Sequence, residues 1–286
     1  MLIILLIGVG LAVWLVIRIA PAFDRSHLSR LDHFHSSLAA DRQKVVVCLG
    51  DSLTHGNVSY DYVHALASRL EPSGYTVLNA GLNSDLAWNV LQRVDAVLRG
   101  TPSFVVLLVG TNDARACESP WAAAGYVKRK KLPQVPDQEF FEVHYEALLE
   151  ALAASGKVRT ILVTLPPLGE RCDEPIDTQV EQFNGFIRGQ AERRGLPCVD
   201  LNASLVDLIQ EVENPKAPAY DARISERWVG RSVLLHYVLG WDWSRIAKRF
   251  GMRFSPDMIH LTEAGAAPLV EQVDRALRRA QSETNS

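Results

Sequence analysis

Five short apolar runs rich in β-branched residues constrain the fold of this chain more than any other feature of its sequence. They lie at residues 44–49, 75–80, 103–109, 158–165 and 197–201. Each run is almost continuously apolar rather than alternating with polar residues, as expected for strands buried on both faces of a sheet. The runs therefore predict a parallel sheet that is covered on both sides.

The segments between the runs carry apolar residues at the i, i+3, i+4, i+7 spacing of a helix buried along one side. The stripes are Val63, Leu66, Ala67 and Leu70; Ala87, Val90, Leu91 and Val94; Phe141, Tyr145, Leu148, Leu149 and Leu152; Val180, Phe183 and Ile187; and, in a last helix over about residues 264–280, Leu269, Val270, Val273 and Leu277. Strands that alternate with helices imply right-handed crossovers and a three-layer α/β sandwich. A single domain over residues 44–282 is long enough to bury such a core.

Two segments interrupt this alternation. Residues 113–138 are predicted to form a long loop, in which the basic run Lys128-Arg129-Lys130-Lys131 is solvated. Residues 213–255 hold three of the six tryptophans, Trp228, Trp241 and Trp243, which is unlike a disordered segment. Connections of this length are usually functional when they are ordered, so residues 213–255 are predicted to form an insertion or lid.

The first 17 residues contain no charged side chain. As a helix they would rise about 26 Å, close to the hydrocarbon thickness of a bilayer, and Arg18 could snorkel to complete the span. We expect residues 1–20 to be a transmembrane anchor and residues 21–43 a juxtamembrane linker, with a signal peptide cleaved near Ala20-Pro21-Ala22 as the alternative. Basic residues follow the apolar stretch, which favours a single-pass topology with the C-terminal domain in the cytoplasm; a periplasmic or extracellular placement stays open.

Polar residues follow the first three predicted strands. Gly50-Asp51-Ser52 comes after the first strand, Asn79-Ala80-Gly81 ends the second, and Gly110-Thr111-Asn112-Asp113 follows the third. Sites in open parallel sheets form at the carboxyl ends of the strands. A hydroxyl, a backbone N–H and a carboxamide at one edge are the groups required for acyl transfer. Asp51 and Asp113 are expected only to bond within their own turns.

A serine nucleophile needs a base, and an aspartate three residues before a histidine is a common way to orient one. That spacing occurs four times here: Asp24/His27, Asp32/His35, Asp61/His64 and Asp257/His260. The first two pairs lie in the predicted linker, and His64 lies well along the helix that leaves the serine loop. Asp257 and His260 precede the last helix, where the chain should cross the carboxyl edge of the sheet. We therefore expect His260 to be the base and His55, next to the serine only in sequence, to be a bystander.

The segments GDSLTHG, NAGLNSD, GTND and DMIHLTEAG, in this order over residues 50–265, resemble the conserved blocks of the SGNH hydrolases, or GDSL esterases and lipases. The resemblance implies a flavodoxin-like fold, Ser52 as nucleophile, His260 as base and Asp257 as the third triad member. It implies an oxyanion hole formed by the Ser52 and Gly81 N–H groups and the Asn112 side chain. The second block departs from the family pattern, because Asn83-Ser84 stands where another glycine is common.

Charge, cysteine spacing and motif content argue against nucleic-acid, metal and cofactor binding. A net charge of −3 gives no general attraction to nucleic acid. The four cysteines have no zinc-site spacing, and the chain shows no nucleotide-binding motif, so we expect no metal and no cofactor. Cys48 and Cys198 are predicted to be core residues. Cys117 and Cys172 could pair in an oxidising compartment, which the sequence does not decide.

The substrate is the least constrained feature. Residues 223–253 combine aromatic residues with seven basic side chains, which suits either a lid packed on the domain or a helix on an anionic membrane. With an anchor, a small-molecule or lipid ester is the expected substrate. The alternatives are an acyltransferase or deacetylase acting on sugars, and a non-catalytic binding module tethered to the membrane.

Overall fold

The computed structural model describes residue 10 and residues 13–24 and 44–282. Five parallel strands form one sheet: β1 (Lys44–Gly50), β2 (Tyr75–Gly81), β3 (Phe104–Leu108), β4 (Arg159–Val163) and β5 (Cys198–Val199). Their order is β2-β1-β3-β4-β5. In register, Gly50 at the end of β1 lies between Gly81 and Leu108 of the two neighbouring strands. The predicted five-stranded parallel sheet is confirmed.

Helices follow the strands in chain order. They are α1 (Ser52–His55), α2 (Tyr62–Leu70), α3 (Ala87–Leu91), α4 (Val94–Leu98), α5 (Thr111–Glu118), α6 (Pro120–Lys130), α7 (Gln138–Ala154), α8 (Pro175–Arg194), α9 (Leu201–Val212), α10 (Ala222–Tyr237), α11 (Trp243–Arg249) and α12 (Glu263–Ser282). Short 3₁₀ turns cover Ala20–Phe23 and Glu71–Ser73.

Two apolar cores lie on opposite faces of the sheet because neighbouring strand residues point to opposite sides. Val45, Val47 and Leu49 of β1 pack with the helices α3, α4, α7 and α8. Val46 and Cys48 of the same strand pack with α2, α9 and α12. The protein is therefore an α/β sandwich of three layers, in which β1 is buried on both faces.

The strand order places a crevice at the carboxyl end of β1. The chain leaves β1 toward β2 on one side, and it later returns to β3 on the other side. Open α/β sheets bind ligands where the winding reverses in this way. The loops that follow β1, β2 and β3 consequently meet at one edge of the sheet.

Two local predictions were wrong. Residues 113–138 are mostly helical, in α5 and α6, rather than a long loop. Ser119 caps α6 by accepting a hydrogen bond from Ala122 N, and Pro120 occupies its first position. The stripe predicted over residues 87–94 is split into the short helices α3 and α4.

Residues 213–255 form α10 and α11 with their connections. Their aromatic side chains pack within the insertion: Trp228 stacks on Phe250 with ring centroids 4.6 Å apart, and Trp243 stacks on His236 at 4.0 Å. Helix α10 also contacts the loop that precedes α12, where Ser225 and Ser232 donate hydrogen bonds to the carbonyl oxygens of Asp257 and Pro256. The insertion thus helps to hold the loop before α12.

Among the described residues, no helix has both the length and the apolar character needed to cross a membrane. The predicted transmembrane anchor over residues 1–20 falls largely on residues that the structure does not describe. More than half of that segment, residues 1–9 and 11–12, lies outside the described residues, as do residues 25–43 of the predicted linker.

The cysteines follow the predictions only in part. Cys48 is fully buried in β1, whereas Cys198 is exposed because it lies on β5, a short edge strand. The prediction that Cys198 is a core residue was wrong. All four cysteines have free thiols, so Cys117 and Cys172 do not pair in this structure.

Candidate active site

Ser52 is placed by a tight junction between β1 and α1. It is the first residue of α1, and Asp51 caps this helix by accepting a hydrogen bond from Leu53 N at 2.9 Å. Gly50 allows the close approach of the two elements, because a Cβ there would lie 2.2 Å from the Leu108 carbonyl oxygen. The serine is 6% exposed. Its hydroxyl is therefore held at the floor of the crevice.

Ser52, His260 and Asp257 form a continuous row of hydrogen bonds. His260 Nε2 lies 2.9 Å from Ser52 Oγ, and His260 Nδ1 lies 2.8 Å from Asp257 Oδ2. A carboxylate can only accept, so Nδ1 carries the proton and Nε2 accepts from the serine hydroxyl. This arrangement lets the ring take the serine proton when the oxygen attacks a carbonyl carbon.

The loop between Asp257 and His260 is tightly constrained. Asp257 Oδ1 accepts hydrogen bonds from Ile259 N and His260 N, so one carboxylate fixes both the backbone and the ring. Met258 between them has a φ of 73°, a conformation that is uncommon for a residue with a side chain. Its carbonyl accepts a hydrogen bond from Gly169 N at 2.9 Å. Strain of this kind persists where the surroundings determine the backbone, as they do here.

Glu170 supports the segment just before this loop. Its buried carboxylate accepts hydrogen bonds from Arg253 N, Phe254 N and Ser255 N, at distances from 2.6 to 3.0 Å. Burial raises the pKa of Glu170, and the three N–H groups oppose that rise. Sequence reasoning missed this residue. Its role depends on a contact between residues more than 80 positions apart, and no local motif indicates it.

Asn112, at the start of α5, is fixed by a chain of polar contacts. Its Oδ1 accepts a hydrogen bond from the Tyr126 hydroxyl at 2.6 Å, and that hydroxyl accepts one from Arg115 Nη1. Its Nδ2 therefore faces the other way, 2.9 Å from the Asp85 carbonyl oxygen and 3.3 Å from Asp51 Oδ2. The contact with Asp51 is long for a hydrogen bond. One amide hydrogen of Asn112 is thus weakly engaged beside the serine.

Gly81 is placed differently from what the oxyanion prediction requires. Its N–H donates to Asn79 Oδ1 at 2.9 Å, and its Cα packs on the backbone of α1, where a Cβ would lie 2.2 Å from His55 N. Ser84, three residues later, lines the same cleft as Ser52 and has a φ of 62°. A positive φ is the conformation for which glycine is commonly selected. In the sequence, the only signal for Ser84 was that Asn83-Ser84 stands where another glycine is common in the family pattern.

A cleft of about 570 Å³ opens above Ser52 and His260. Its lining includes the apolar residues Ile19, Ala22, Phe23, Val58, Val229, Val233, Leu234 and Ile259, which we call the apolar wall. The N-terminal turn is held in place there, because Asn57 Nδ2 and Asn83 Nδ2 both donate to the Ala22 carbonyl oxygen, at 2.6 and 3.3 Å. The apolar wall therefore joins the N-terminal segment to α10.

The same cleft is also lined by Arg115, Arg129 and Lys130, which we call the cationic wall. Lys130 is largely buried and lies 2.7 Å from Asp85, whereas Arg129 pairs with Glu226 at 2.6 Å. The basic run Lys128–Lys131 was predicted to be a solvated loop. The loop was wrong, since Lys128–Lys130 end α6, whereas Lys128, Arg129 and Lys131 are exposed as predicted. Arg129 and Lys130 also line the cleft.

Asp51 and Asp113 lie buried behind the site, and burial raises their pKa values to about 7 and about 8. Both were predicted to bond only within their own turns, and this prediction was wrong. Asp51 also contacts Asn112, and Asp113 accepts a hydrogen bond from Ala87 N at 3.1 Å. Both carboxyls therefore connect loops from different strands.

The raised pKa of Asp113 predicts a pH-dependent stability. The folded state holds this proton up to about pH 8, whereas the unfolded chain releases it near pH 4, so stability should fall as the pH rises through that interval. Asp113→Asn keeps an acceptor for Ala87 N without a charge. We expect its Tm to change less between pH 5 and pH 8 than that of the wild type, in thermal unfolding followed by circular dichroism. An unchanged pH slope would contradict the assignment.

The remaining histidine candidates lie elsewhere. Asp61 caps α2 by accepting from His64 N, and the His64 side chain is exposed. His55 is buried at the end of α1, and the Ser52 hydroxyl is paired with His260. His27, Asp32 and His35 lie outside the described residues. No group of three or more metal-ligating side chains occurs in the described part of the chain.

A family model described as the GDSL-like lipase/acylhydrolase family matches residues 48–267. The chain belongs to this family. The match covers both the serine loop and the Asp257–His260 loop, and the protein is a serine ester hydrolase. No curated protein matches the chain.

Solved structures share the fold of this GDSL-like hydrolase. An acetyl xylan esterase superposes with a TM-score of 0.58 and 20% identity, covering 81% of this chain and 98% of that one. A GDSL-like lipase from Bacteroides thetaiotaomicron VPI-5482 gives 0.55 and 16%, covering 88% and 98%. An acetylxylan esterase from Geobacillus stearothermophilus gives 0.54 and 18%, covering 82% and 93%. At these identities the similarity shows the fold of the GDSL-like hydrolase, and its substrate must be argued from the cleft.

Proposed function

We propose that this hydrolase cleaves lipophilic acyl esters through an acyl-enzyme on Ser52. The observation that carries the proposal is the hydrogen-bonded row of Ser52, His260 and Asp257 at the base of a cleft with one apolar wall. A serine hydroxyl is activated by such a base, and an apolar wall favours an acyl chain over water.

In the first step Ser52 Oγ attacks the ester carbonyl carbon, and its proton moves to His260 Nε2. The Asp257 carboxylate stabilises the resulting imidazolium and keeps the ring in place. When the tetrahedral intermediate collapses, the bond to the alcohol oxygen breaks, and that oxygen takes the proton from Nε2. The acyl group is left on Ser52 as an ester.

In the second step water attacks the acyl-enzyme and gives its proton to His260 Nε2. Collapse releases the carboxylic acid, and the proton returns to Ser52 Oγ. Transfer to another alcohol in place of water would follow the same path. The alternative of an acyltransferase is therefore separated from hydrolysis by product analysis in the presence of acceptor alcohols.

The negative charge on the carbonyl oxygen needs donors that already face the site. We propose the Ser52 N–H, the Asn112 Nδ2 group and the Ser84 N–H. Ser84 replaces Gly81 in this set because Ser84 lines the cleft, whereas the Gly81 N–H is engaged with Asn79. The Tyr126 hydroxyl bonds Asn112 Oδ1, so Nδ2 lies on the side of Asp51 and Asp85, where one of its hydrogens makes only the long 3.3 Å contact with Asp51.

The positive φ of Ser84 allows this assignment to be tested. Ser84→Gly should keep kcat, since glycine adopts the same backbone conformation, and Ser84→Val should lower kcat by about tenfold or more, because a β-branched residue disfavours it and displaces the N–H. The matched control is Glu213→Val, which places the same strain at a φ of 44° at the end of α9, and it should reduce Tm but not kcat. Equal kcat in Ser84→Val and wild type would contradict the role of Ser84.

The apolar wall supports a substrate with a hydrocarbon acyl group. Its members come from both the N-terminal turn and α10, so a chain extending from Ser52 would lie between two apolar surfaces. Each additional buried methylene contributes about 0.8 kcal/mol. We therefore expect kcat/KM to rise with acyl length from acetate until the wall is covered.

We also propose that residues 1–20 associate with a membrane and that the catalytic domain lies on its cytoplasmic side. The uncharged first 17 residues and the basic residues that follow them support this placement. Carbonate extraction of membranes that contain the full chain, followed by protease protection, tests both parts. Recovery of the full chain in the carbonate-soluble fraction would contradict a transmembrane anchor over residues 1–20, because carbonate releases only proteins that do not span the membrane.

The substrate proposal is tested with p-nitrophenyl esters of increasing acyl length. Rising kcat/KM from acetate to longer esters supports a lipophilic substrate. A strict preference for acetate, together with release of acetate from acetylated xylo-oligosaccharides, would instead favour a sugar deacetylase, since two structural neighbours are acetyl xylan esterases. A correctly folded protein that hydrolyses no ester would support the non-catalytic binding module.

A further inference from the structure

The cationic wall carries more positive charge than its carboxylates neutralise. Asp85 is shared by Arg93 and Lys130, with contacts of 2.8 and 2.7 Å. Glu226 is likewise shared, by Arg129 at 2.6 Å and Arg115 at 3.5 Å. Each carboxylate thus faces two cations, so these six side chains together hold two unneutralised positive charges.

These cations are held in place by the fold. The Arg115 side chain is 5% exposed and bonds the hydroxyls of Tyr126 and Tyr220, and the Arg129 guanidinium lies 5.0 Å from the centre of the Tyr126 ring. Lys130 is 12% exposed. Partial burial lowers the screening of charges by solvent, and fixed side chains lose little further entropy when they bind a ligand.

The cationic wall, the apolar wall and Ser52 line one cleft. Burial raises the pKa values of the nearby Asp51 and Asp113 to about 7 and about 8, which reduces the negative charge they contribute at neutral pH. A ligand that uses both walls must have an apolar part and an anionic part, joined through the ester that Ser52 attacks.

We propose that Arg115, Arg129 and Lys130 form a subsite for an anionic group, a carboxylate or a phosphate, on the alcohol portion of the ester. This subsite rests on the proposed function, since it names the second half of the same substrate. The acyl chain lies on the apolar wall, the carbonyl carbon lies at Ser52 Oγ, and the anion contacts the guanidinium and ammonium groups. Bidentate contacts from arginine are suited to both anions.

The test compares esters that share one acyl group. The probes are para-carboxyphenyl butanoate and para-phosphonophenyl butanoate, each set against the neutral para-carbamoylphenyl butanoate, with the full chain as enzyme. The measured quantity is the ratio of kcat/KM for the charged ester to kcat/KM for the neutral one. Comparing this ratio between variants cancels differences between the leaving groups.

Arg129→Gln and Lys130→Gln are each expected to lower the ratio about fivefold, mainly through KM, and Glu226→Gln to raise it. The matched control is Lys128→Gln, which removes the same charge from an exposed position on α6 outside the cleft. It should leave the ratio unchanged. The larger effect of the two charged probes identifies whether the subsite prefers a carboxylate or a phosphate.

A ratio that is unchanged in Arg129→Gln and Lys130→Gln, with the neutral ester still hydrolysed, overturns the subsite and leaves the proposed function intact. Binding of the matching butanamide analogues to Ser52→Ala, measured by calorimetry, gives a readout that needs no turnover. Equal affinity for the charged and neutral amides would overturn the subsite. If the wild-type protein hydrolyses no ester but Ser52→Ala binds the charged amide more tightly than the neutral one, the proposed function is contradicted and the subsite is supported.

Discussion

Replacing His260 with glutamine is expected to lower kcat/KM for ester hydrolysis by about four orders of magnitude. Glutamine cannot take the proton that Ser52 loses, although its amide is close in size to the ring. The 2.9 Å contact between His260 Nε2 and Ser52 Oγ is the basis of this prediction. The measurement is steady-state hydrolysis of p-nitrophenyl butyrate, with circular dichroism to verify the fold.

His64→Gln is the matched control. Asp61 and His64 have the same sequence spacing as Asp257 and His260, but His64 is exposed on α2 and Asp61 serves as a helix cap. We expect His64→Gln to keep the activity of the wild type. Activity lost in His64→Gln and kept in His260→Gln would show that the wrong pair had been assigned.

Replacing Glu170 with alanine is expected to lower the free energy of unfolding by about 3 kcal/mol or more. The buried N–H groups of Phe254 and Ser255 and the partly buried one of Arg253 would lose their acceptor, and each buried loss costs about 1–3 kcal/mol. The same segment leads into Asp257, so kcat should also decrease because His260 is less well oriented. Glu170 is thus a positioning residue, and urea unfolding together with kcat measures both effects.

Two further variants separate positioning from general stability. Glu170→Gln keeps an acceptor oxygen, so it should recover part of both the stability and kcat. Glu192→Ala, which removes an exposed glutamate from α8, should change neither. A Glu170→Ala protein with unaltered kcat at a temperature where it is fully folded would contradict the positioning role, whatever its stability.

The sheet could be predicted from the sequence because its signal is local. Each strand is a continuous apolar run, and the predicted bounds differ from the observed ones by a few residues at most. The segment at residues 113–138 was less predictable, since the short α5 carries the polar site residues Asn112 and Asp113. Its apolar periodicity is interrupted because these residues serve the site instead of the core.

The residues of the candidate site likewise divide into those that local sequence predicts and those that it does not. Ser52, Asp257 and His260 lie in short segments at strand or helix ends, where topology alone brings them together. Ser84, which we propose as an oxyanion donor, was missed because the argument for it rests on a backbone angle, and serine seldom indicates a positive φ. Glu170 and the cationic wall depend on contacts between distant segments, for which one sequence without structure gives no signal.

The central claim is that Ser52 is a nucleophile activated by His260. Labelling of the full chain with a fluorophosphonate, followed by peptide mass spectrometry, tests it directly, because the reagent reacts with activated serines. We predict one label, on Ser52, which is lost in His260→Gln and retained in His64→Gln. An unlabelled Ser52 in the folded wild-type protein, or labelling that persists in His260→Gln, would contradict the claim.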